Sequence, residues 1–450
     1  MRKAREAIQG REFLERHAIS LQVFEKVEPT SVSMINSGKY LVIGAGPCGL
    51  GMARALKEGA IPYDHVEATD AIGGNWSHGV YETVYTDASK QVMQFTEYPM
   101  PAHYPDFLSK QHMLAYLQDY SRHYDLEQNI WFNTKVTWVE KRQEGWEVTF
   151  NDDEKRLYKG IVICNGHHWD MRFPELKGEF KGEYIHSKQY KSPDQLKGKR
   201  VLVIGAGNSA ADIACEAARV GASSTMSIRN SPWIFPKSFA GVPLGNIKLR
   251  KAPGFLNPIM LRLLIKFTFG KHEYYGLETP KHKYFDKHPT VSEELPYYLK
   301  HGRIGLRKGI KEIKGQIVTF TDDKQEEFDL IVAATGFHLS FPFLPKELNR
   351  VEGQNLKCVG WSCYPDQKGL FFIGWPQVRG GIGSLASAFS NVLTDLIHIE
   401  DKFNLPAGKV LEAMGNKLSE TNLYGSKEVF EWVAKHSYKK LEQTARRIGS

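Results

Sequence analysis

A chain of 450 residues with 42% hydrophobic and 24% charged side chains has the make-up of an ordinary globular protein with room for two or three domains, which excludes collagen-like, low-complexity and wholly disordered chains. Its 59 Lys and Arg against 51 Asp and Glu give a net charge of +8, but the two signs are interspersed and no segment reads as a nucleic-acid arm. Five scattered cysteines, Cys48, Cys164, Cys215, Cys358 and Cys363, form neither a disulfide framework nor a metal pattern and predict a reducing, cytoplasmic setting.

Residues 1–38 mix Arg2, Lys3 and Arg5 with Glu6, Glu12 and Glu15 and precede no apolar stretch, so they read as an N-terminal extension rather than a secretory or transit signal. The apolar run Tyr40-Leu41-Val42-Ile43 then predicts a buried parallel strand, entering Gly44-Ala45-Gly46-Pro47-Cys48-Gly49 and a helix. In such a turn the first glycine, Gly44, permits the tight bend. Gly46 lets the backbone approach a pyrophosphate, and Gly49 lets helix and strand pack closely. Glu67 closes the next strand-like run, where a carboxylate accepts hydrogen bonds from ribose hydroxyls.

A further buried strand is expected at Gly160 to Gly166. The glycine pattern then returns, with Val201-Leu202-Val203-Ile204 entering Gly205-Ala206-Gly207-Asn208-Ser209-Ala210 and an Ala-rich helix. The strand after it ends in Arg229 instead of an acid, and a guanidinium there suits a 2′-phosphate, favouring NADP over NAD. The most apolar segment, Pro253 to Gly270, is broken by Arg262 and Lys266 and falls short of the roughly 18 apolar residues of a membrane span. It reads as a helix packed on the second domain, lying on a membrane surface or lining a tunnel. Phe328 to Phe337 is expected to be the return crossing into the first domain. Leu370 to Gly374 forms another strand, and Gly380-Gly381-Ile382-Gly383-Ser384 opens a last long helix. The expected fold is therefore α/β, two Rossmann-like dinucleotide-binding domains with the second inserted into the first: 39–195 and 325–450 around 196–324.

Three more segments carry a family resemblance: Gly73-Gly74-Asn75-Trp76, Phe180-Lys181-Gly182-Glu183-Tyr184-Ile185-His186-Ser187-Lys188-Gln189-Tyr190, and Ala334-Thr335-Gly336-Phe337. With the twin glycine turns they resemble the flavin-containing monooxygenases over roughly residues 39 to 400, in the manner of a soluble bacterial-type member; the hydrophobic C-terminal anchor of animal microsomal members has no counterpart here. The resemblance implies FAD held by Gly44, Gly46, Pro47, Gly49, Glu67, Asn75 and Trp76. It implies NADP (NADPH) held by Gly205, Gly207, Asn208, Ser209, Asp212 and Arg229. Thr86, Asp87, Thr335 and Gln377 complete the cofactor contacts, Asp87 and Gln377 nearest the chemistry, and no metal is called for. His186 reads as structural. The partners implied are O2 and a small nucleophilic substrate, and dimers are common in the family.

The implied reaction is NADPH-dependent insertion of one oxygen atom from O2 into an amine nitrogen or a sulfur through a C4a-(hydro)peroxyflavin. The family usually carries asparagine where this chain has Asp87. An ionised carboxylate there accepts hydrogen bonds but cannot donate them, and it repels a developing peroxide anion, which points to altered coupling or an uncoupled NADPH oxidase. Baeyer–Villiger oxidation of ketones is the main rival, although its signature typically has tryptophan at the place of Tyr190. A disulfide reductase would need Cys358 and Cys363 to face the flavin, and a non-catalytic flavin-binding sensor stays open because of Asp87.

Overall fold

The computed structural model describes residues 35–36, 38–247, 256–379, 381–421 and 423–449; the expected extension 1–38 lies outside them apart from Ile35–Asn36 and Gly38. Strand β1 (Tyr40–Ile43) is buried along its whole length, as an apolar run must be when helices cover both faces of a parallel sheet. It leads into helix α1 (Pro47–Glu58), β2 (Tyr63–Val66), β3 (Ile130–Trp131) and β4 (Gly160–Ile163). Beyond β4 come β5 (Glu183–His186), β6 (Arg200–Ile204), helix α2 (Asn208–Val220), β7 (Ser223–Ser227), β8 (Gly305–Arg307) and β9 (Leu330–Ala333). The chain closes with β10 (Leu370–Phe372) and α3 (Ile382–Phe403).

These strands make two parallel five-stranded sheets, ordered β10-β4-β1-β2-β3 and β5-β9-β6-β7-β8. In each, one strand (β1 or β6) leads through a glycine turn into a helix, so the fold is the expected pair of Rossmann-like units. The expected bounds at 195 and 325 are corrected by strand pairing. β5 and β9 belong to the second sheet, where Leu330 pairs with Val201 and Glu183 with Leu330. Within the run Phe328 to Phe337, Leu330–Ala333 thus belongs to the second sheet and only the end of the run starts the return crossing; the chain re-enters the first sheet at β10, beside β4. A strand buried on both faces carries no mark of which sheet receives it.

Between the sheets the chain passes twice through a narrow ribbon in which Asp170–Met171 pairs antiparallel with Phe337–His338. Helix α3 packs on α1, where a Cβ on Gly51 would touch Ser390 and Ala386. Among the described residues α3 is the helix long and apolar enough to cross a membrane by length and composition, although 67% of its most apolar window is buried inside the molecule. The segment from 253 to 270, expected to be the most apolar, instead contains the shorter helix Leu256–Phe269; residues 253–255 lie outside the described residues. That helix buries Leu261 and Ile265 against Phe235.

Candidate active site

The two glycine turns are built as their spacing requires. Gly44 has φ +103 and Gly205 φ +137, the left-handed side of the map that only glycine adopts at no cost. A Cβ on Gly49 would sit 1.7 Å from the Gly44 carbonyl oxygen, so α1 can lie on its turn only because that position has no side chain. By contrast a Cβ on Gly207 would meet nothing within 4 Å, and one on Gly46 would meet only Gly74 at 3.7 Å. These open backbone faces cap α1 and α2, and no side chain caps either helix. Uncapped N–H groups at a helix N-terminus, with the positive dipole end behind them, fit a pyrophosphate. The donor set therefore suits a dinucleotide at each turn.

Around the first turn, Pro47 occupies the first helical position, where its missing N–H is no loss. Glu67, buried at the end of β2, accepts from the Ala45 N–H at 2.7 Å and from the Thr69 N–H and hydroxyl at 2.9 Å. The carboxylate is thus fixed beside the turn. Asn75 opens a short π-helical turn after Gly74, and Trp76 packs against the first core. Lys188, on the signature segment, donates to Asn75 Oδ1 at 2.6 Å and to the His168 carbonyl at 3.0 Å. Burial pushes its ammonium down to about 8, with Lys191 adding repulsion. His167 and His168 follow β4; His167 bonds the Gly374 carbonyl at 2.9 Å, and desolvation lowers its imidazole below the usual range, whereas His168 stands exposed.

Around the second turn, the strand Thr290–Val291 acts as a clamp. Thr290 Oγ1 donates to the Ala206 carbonyl, and the Val291 N–H donates to Asn208 Oδ1 at 2.8 Å. Asn208 turns its amide nitrogen to Asp87 Oδ2. Thus Asp87 is brought from the first domain onto the second glycine turn. Burial raises its carboxyl to about 6, opposed by the Lys237 charge and the Asn208 bond. Thr86, beside it, is locked by a reciprocal bond with Leu108 and receives Lys237 Nζ on its carbonyl at 3.3 Å. Ser209, next on α2, is half-buried.

Asp212, expected at the NADP site, has another partner: it accepts from the Tyr81 hydroxyl at 2.5 Å, and burial raises it to about 6. One turn further on, Glu216 accepts from the Tyr190 hydroxyl, and the Tyr81 and Tyr190 rings lie 5.5 Å apart. Asn208, Asp212 and Glu216 therefore form three rungs on one face of α2, spaced four residues apart. The signal for this ladder was that spacing; its partners, Asp87, Tyr81 and Tyr190, come from distant segments.

The other expected residues are dispersed. Arg229 stands exposed just past β7, its stem against Gly309, and makes no ion pair among the described residues. Thr335 lies in the ribbon between domains, where its carbonyl accepts from Arg172 Nε and Nη2 at 3.0 and 2.7 Å and its hydroxyl donates to the Arg172 carbonyl at 2.5 Å. His186 belongs to the same joint. Its Nδ1 accepts from the Lys188 N–H at 3.1 Å, leaving Nε2 to donate to the Gly336 carbonyl at 2.9 Å. Gln377 begins a short strand paired with Leu423, and its side chain makes no hydrogen bond among the described residues. Gly381, opening α3, abuts the Val92 carbonyl, only a few residues beyond Asp87.

Cys358 and Cys363 are both buried and unpaired, and burial pushes both thiols well above the ordinary range. A thiol held protonated away from solvent is no redox nucleophile. Among the described residues no group of three or more His, Cys, Asp or Glu is arranged to hold a metal ion.

The sequence matches the family described as FMO-like, flavin-binding monooxygenase-like, over residues 37–425. The chain belongs to this family. Dimethylaniline monooxygenase [N-oxide-forming] 2 of Oryctolagus cuniculus is 33% identical over 360 residues, covering 73% of this chain and 67% of the relative. Two solved structures share the fold. A flavin-containing monooxygenase from Stenotrophomonas maltophilia superposes with TM-score 0.61 at 19% identity, covering 81% of this chain and 99% of that one. The cyclohexanone monooxygenase from Rhodococcus sp. Phi1 bound to NADP+ gives 0.66 at 17%, covering 81% and 84%. This family member is a flavin monooxygenase that uses FAD and NADPH, and the two cradles fit them.

Proposed function

We propose that this flavin monooxygenase places one oxygen atom of O2 on a soft nucleophile, an amine nitrogen or a sulfur, with NADPH as reductant. When bound, FAD supplies the hydride acceptance and oxygen activation, as cofactors do in such enzymes. The chain's own residues bind and orient. Gly44, Gly46 and Gly49 with the α1 N-terminus receive one pyrophosphate, and Glu67 is held where ribose hydroxyls would meet it. Gly205, Gly207 and the α2 N-terminus receive the other, with Arg229 offering a cation to a 2′-phosphate. Asn208 and Asp87 bring a side chain of the first domain onto the NADPH cradle. Five buried, unpaired cysteines support a reducing, cytoplasmic setting as part of this reading.

The observation that carries the choice of substrate class is the 33% identity to an N-oxide-forming enzyme over most of the chain. Tyr190 supports it: its hydroxyl serves the buried Glu216, a task tryptophan at that place could not perform in the same geometry. NADPH consumption measured with a tertiary amine, a thioether and a cyclic ketone tests the reading. N-oxide or sulfoxide formed in step with NADPH is expected; ester from the ketone as the main product would overturn it. A second reading, an NADPH oxidase that releases hydrogen peroxide, is favoured by one observation, the carboxyl of Asp87 where the family usually has an amide.

A further inference from the structure

We infer that the helix Leu256–Phe269 is a docking face for an anionic lipid surface. Its inner side is anchored by Leu261 and Ile265, which are buried against Phe235. Its outer side carries large apolar groups in water: Ile259 is 53% exposed, Met260 43%, Leu263 47% and Phe267 78%. At 100° per residue these four fall within an arc of about 100° on the face away from Leu261 and Ile265. Arg262 and Lys266, both exposed, run along one border of that arc. A stripe of this kind with cations at its edge is how an interfacial helix sits in the headgroup region, apolar side chains down and basic ones at phosphate level.

Charge complementarity selects the occupant. The 56 residues between Glu216 and Glu273 contain no Asp or Glu but nine Lys and Arg; of these Arg262, Lys266 and Lys271 stand exposed on the helix or just after it, whereas Arg219 pairs with Glu294 and Lys237 faces Thr86 and Asp87. The net charge of the whole chain is only +8, so this one segment exceeds it and the rest is close to neutral. A second copy of this chain would bring like charge against like. A bilayer rich in anionic phospholipid meets both the apolar arc and its basic border. None of the four apolar residues, nor Arg262 and Lys266, belongs to the cofactor cradles, so the docking face is independent of the reaction proposed above.

Sedimentation with vesicles of phosphatidylcholine alone, or mixed equally with phosphatidylglycerol, tests this. The native chain is expected to sediment with the mixed vesicles, less with phosphatidylcholine alone, and less at high salt. The double variant Leu263→Glu, Phe267→Glu should stay in solution. Arg262→Gln with Lys266→Gln should bind roughly 30-fold more weakly at low ionic strength, from about fivefold per lost cation. Unchanged melting temperature and NADPH oxidation would show both variants folded, since all four positions are on the surface. Equal binding to the two vesicle types, or native-like binding by the Leu263, Phe267 variant, would overturn the inference. So would a concentration-dependent dimer that this variant abolishes, because the face would then be filled by a second copy.

Discussion

The most consequential residue is Asp87, because one side chain from the first domain bonds the second glycine turn through Asn208 and its charge depends on pH. Burial raises its carboxyl to about 6, so it is mostly ionised at pH 7.5 and mostly neutral at pH 5. An ionised group there disfavours negative charge developing beside the second glycine turn, and a neutral one does not. Asp87→Asn is therefore expected to lower hydrogen peroxide released per NADPH at pH 7.5, by about two- to fivefold for an electrostatic effect near 1 kcal/mol. In the native chain the same ratio should fall as pH drops through about 6, whereas in the variant it should be flat. Parallel pH profiles would remove Asp87 from the cause. Glycine positions give a second contrast at this scale. Gly49→Ala places a Cβ 1.7 Å from the Gly44 carbonyl, so the turn or α1 must shift; soluble protein carrying FAD, measured by flavin absorbance, should be largely lost. Gly207→Ala has free space around its Cβ and should keep its melting temperature and FAD while raising the KM for NADPH, since the methyl group lies where the backbone would meet the pyrophosphate.

Among the elements, α2 shows how much a sequence discloses and where it stops. Its existence and its start were legible from Ala-rich composition and the glycine turn, since both are local. The roles of its polar residues were not. Asn208, Asp212 and Glu216 repeat every fourth position, which on most helices marks a solvated face, and only the tertiary fold supplies Asp87, Tyr81 and Tyr190 from elsewhere. The same reason hid Lys188, whose bond to Asn75 spans 113 positions, and it misassigned β9, whose apolar run suits either sheet. The ladder's second rung carries a prediction about stability. Burial raises the Asp212 carboxyl from the ordinary carboxylate range to about 6, so the folded state binds more protons than the unfolded one and loses stability as pH rises from about 4 to about 6. Asp212→Asn keeps an oxygen for the Tyr81 hydroxyl and removes the buried charge. Urea unfolding should show the variant more stable by up to about 3 kcal/mol at pH 7.5, with the gain shrinking towards pH 4.5. A pH-independent difference would mean that shape, not charge, governs the rung.

At the scale of the whole molecule, two units meet across polar contacts and one aromatic insertion, Tyr81 of the first unit entering the core of the second. The second core gathers around β6, β9 and α2 and contains Cys215, whereas Cys48 and Cys164 lie in the first unit and Cys358 and Cys363 join its cores. The contacts between the units include Asn208 with Asp87, Tyr81 with Asp212 and Lys188 with Asn75. Two of these involve carboxyls that burial makes costly to ionise, so the interface is expected to weaken as pH rises through about 6. An interface of this kind permits one unit to open before the other. All five thiols are buried and unpaired, which makes them reporters of such opening. A thiol reagent at pH 7.5 should label less than one thiol per native chain within minutes and five in denaturant. In intermediate urea one thiol, Cys215, should react in a phase of its own, identified by its loss in Cys215→Ala. Below pH 6, where Asp87 and Asp212 gain protons and the interface tightens, that phase should merge with the labelling of the other four. A single phase at both pH values would show that the inserted unit and its host unfold as one, and that the ladder on α2 couples them more strongly than its buried charges imply.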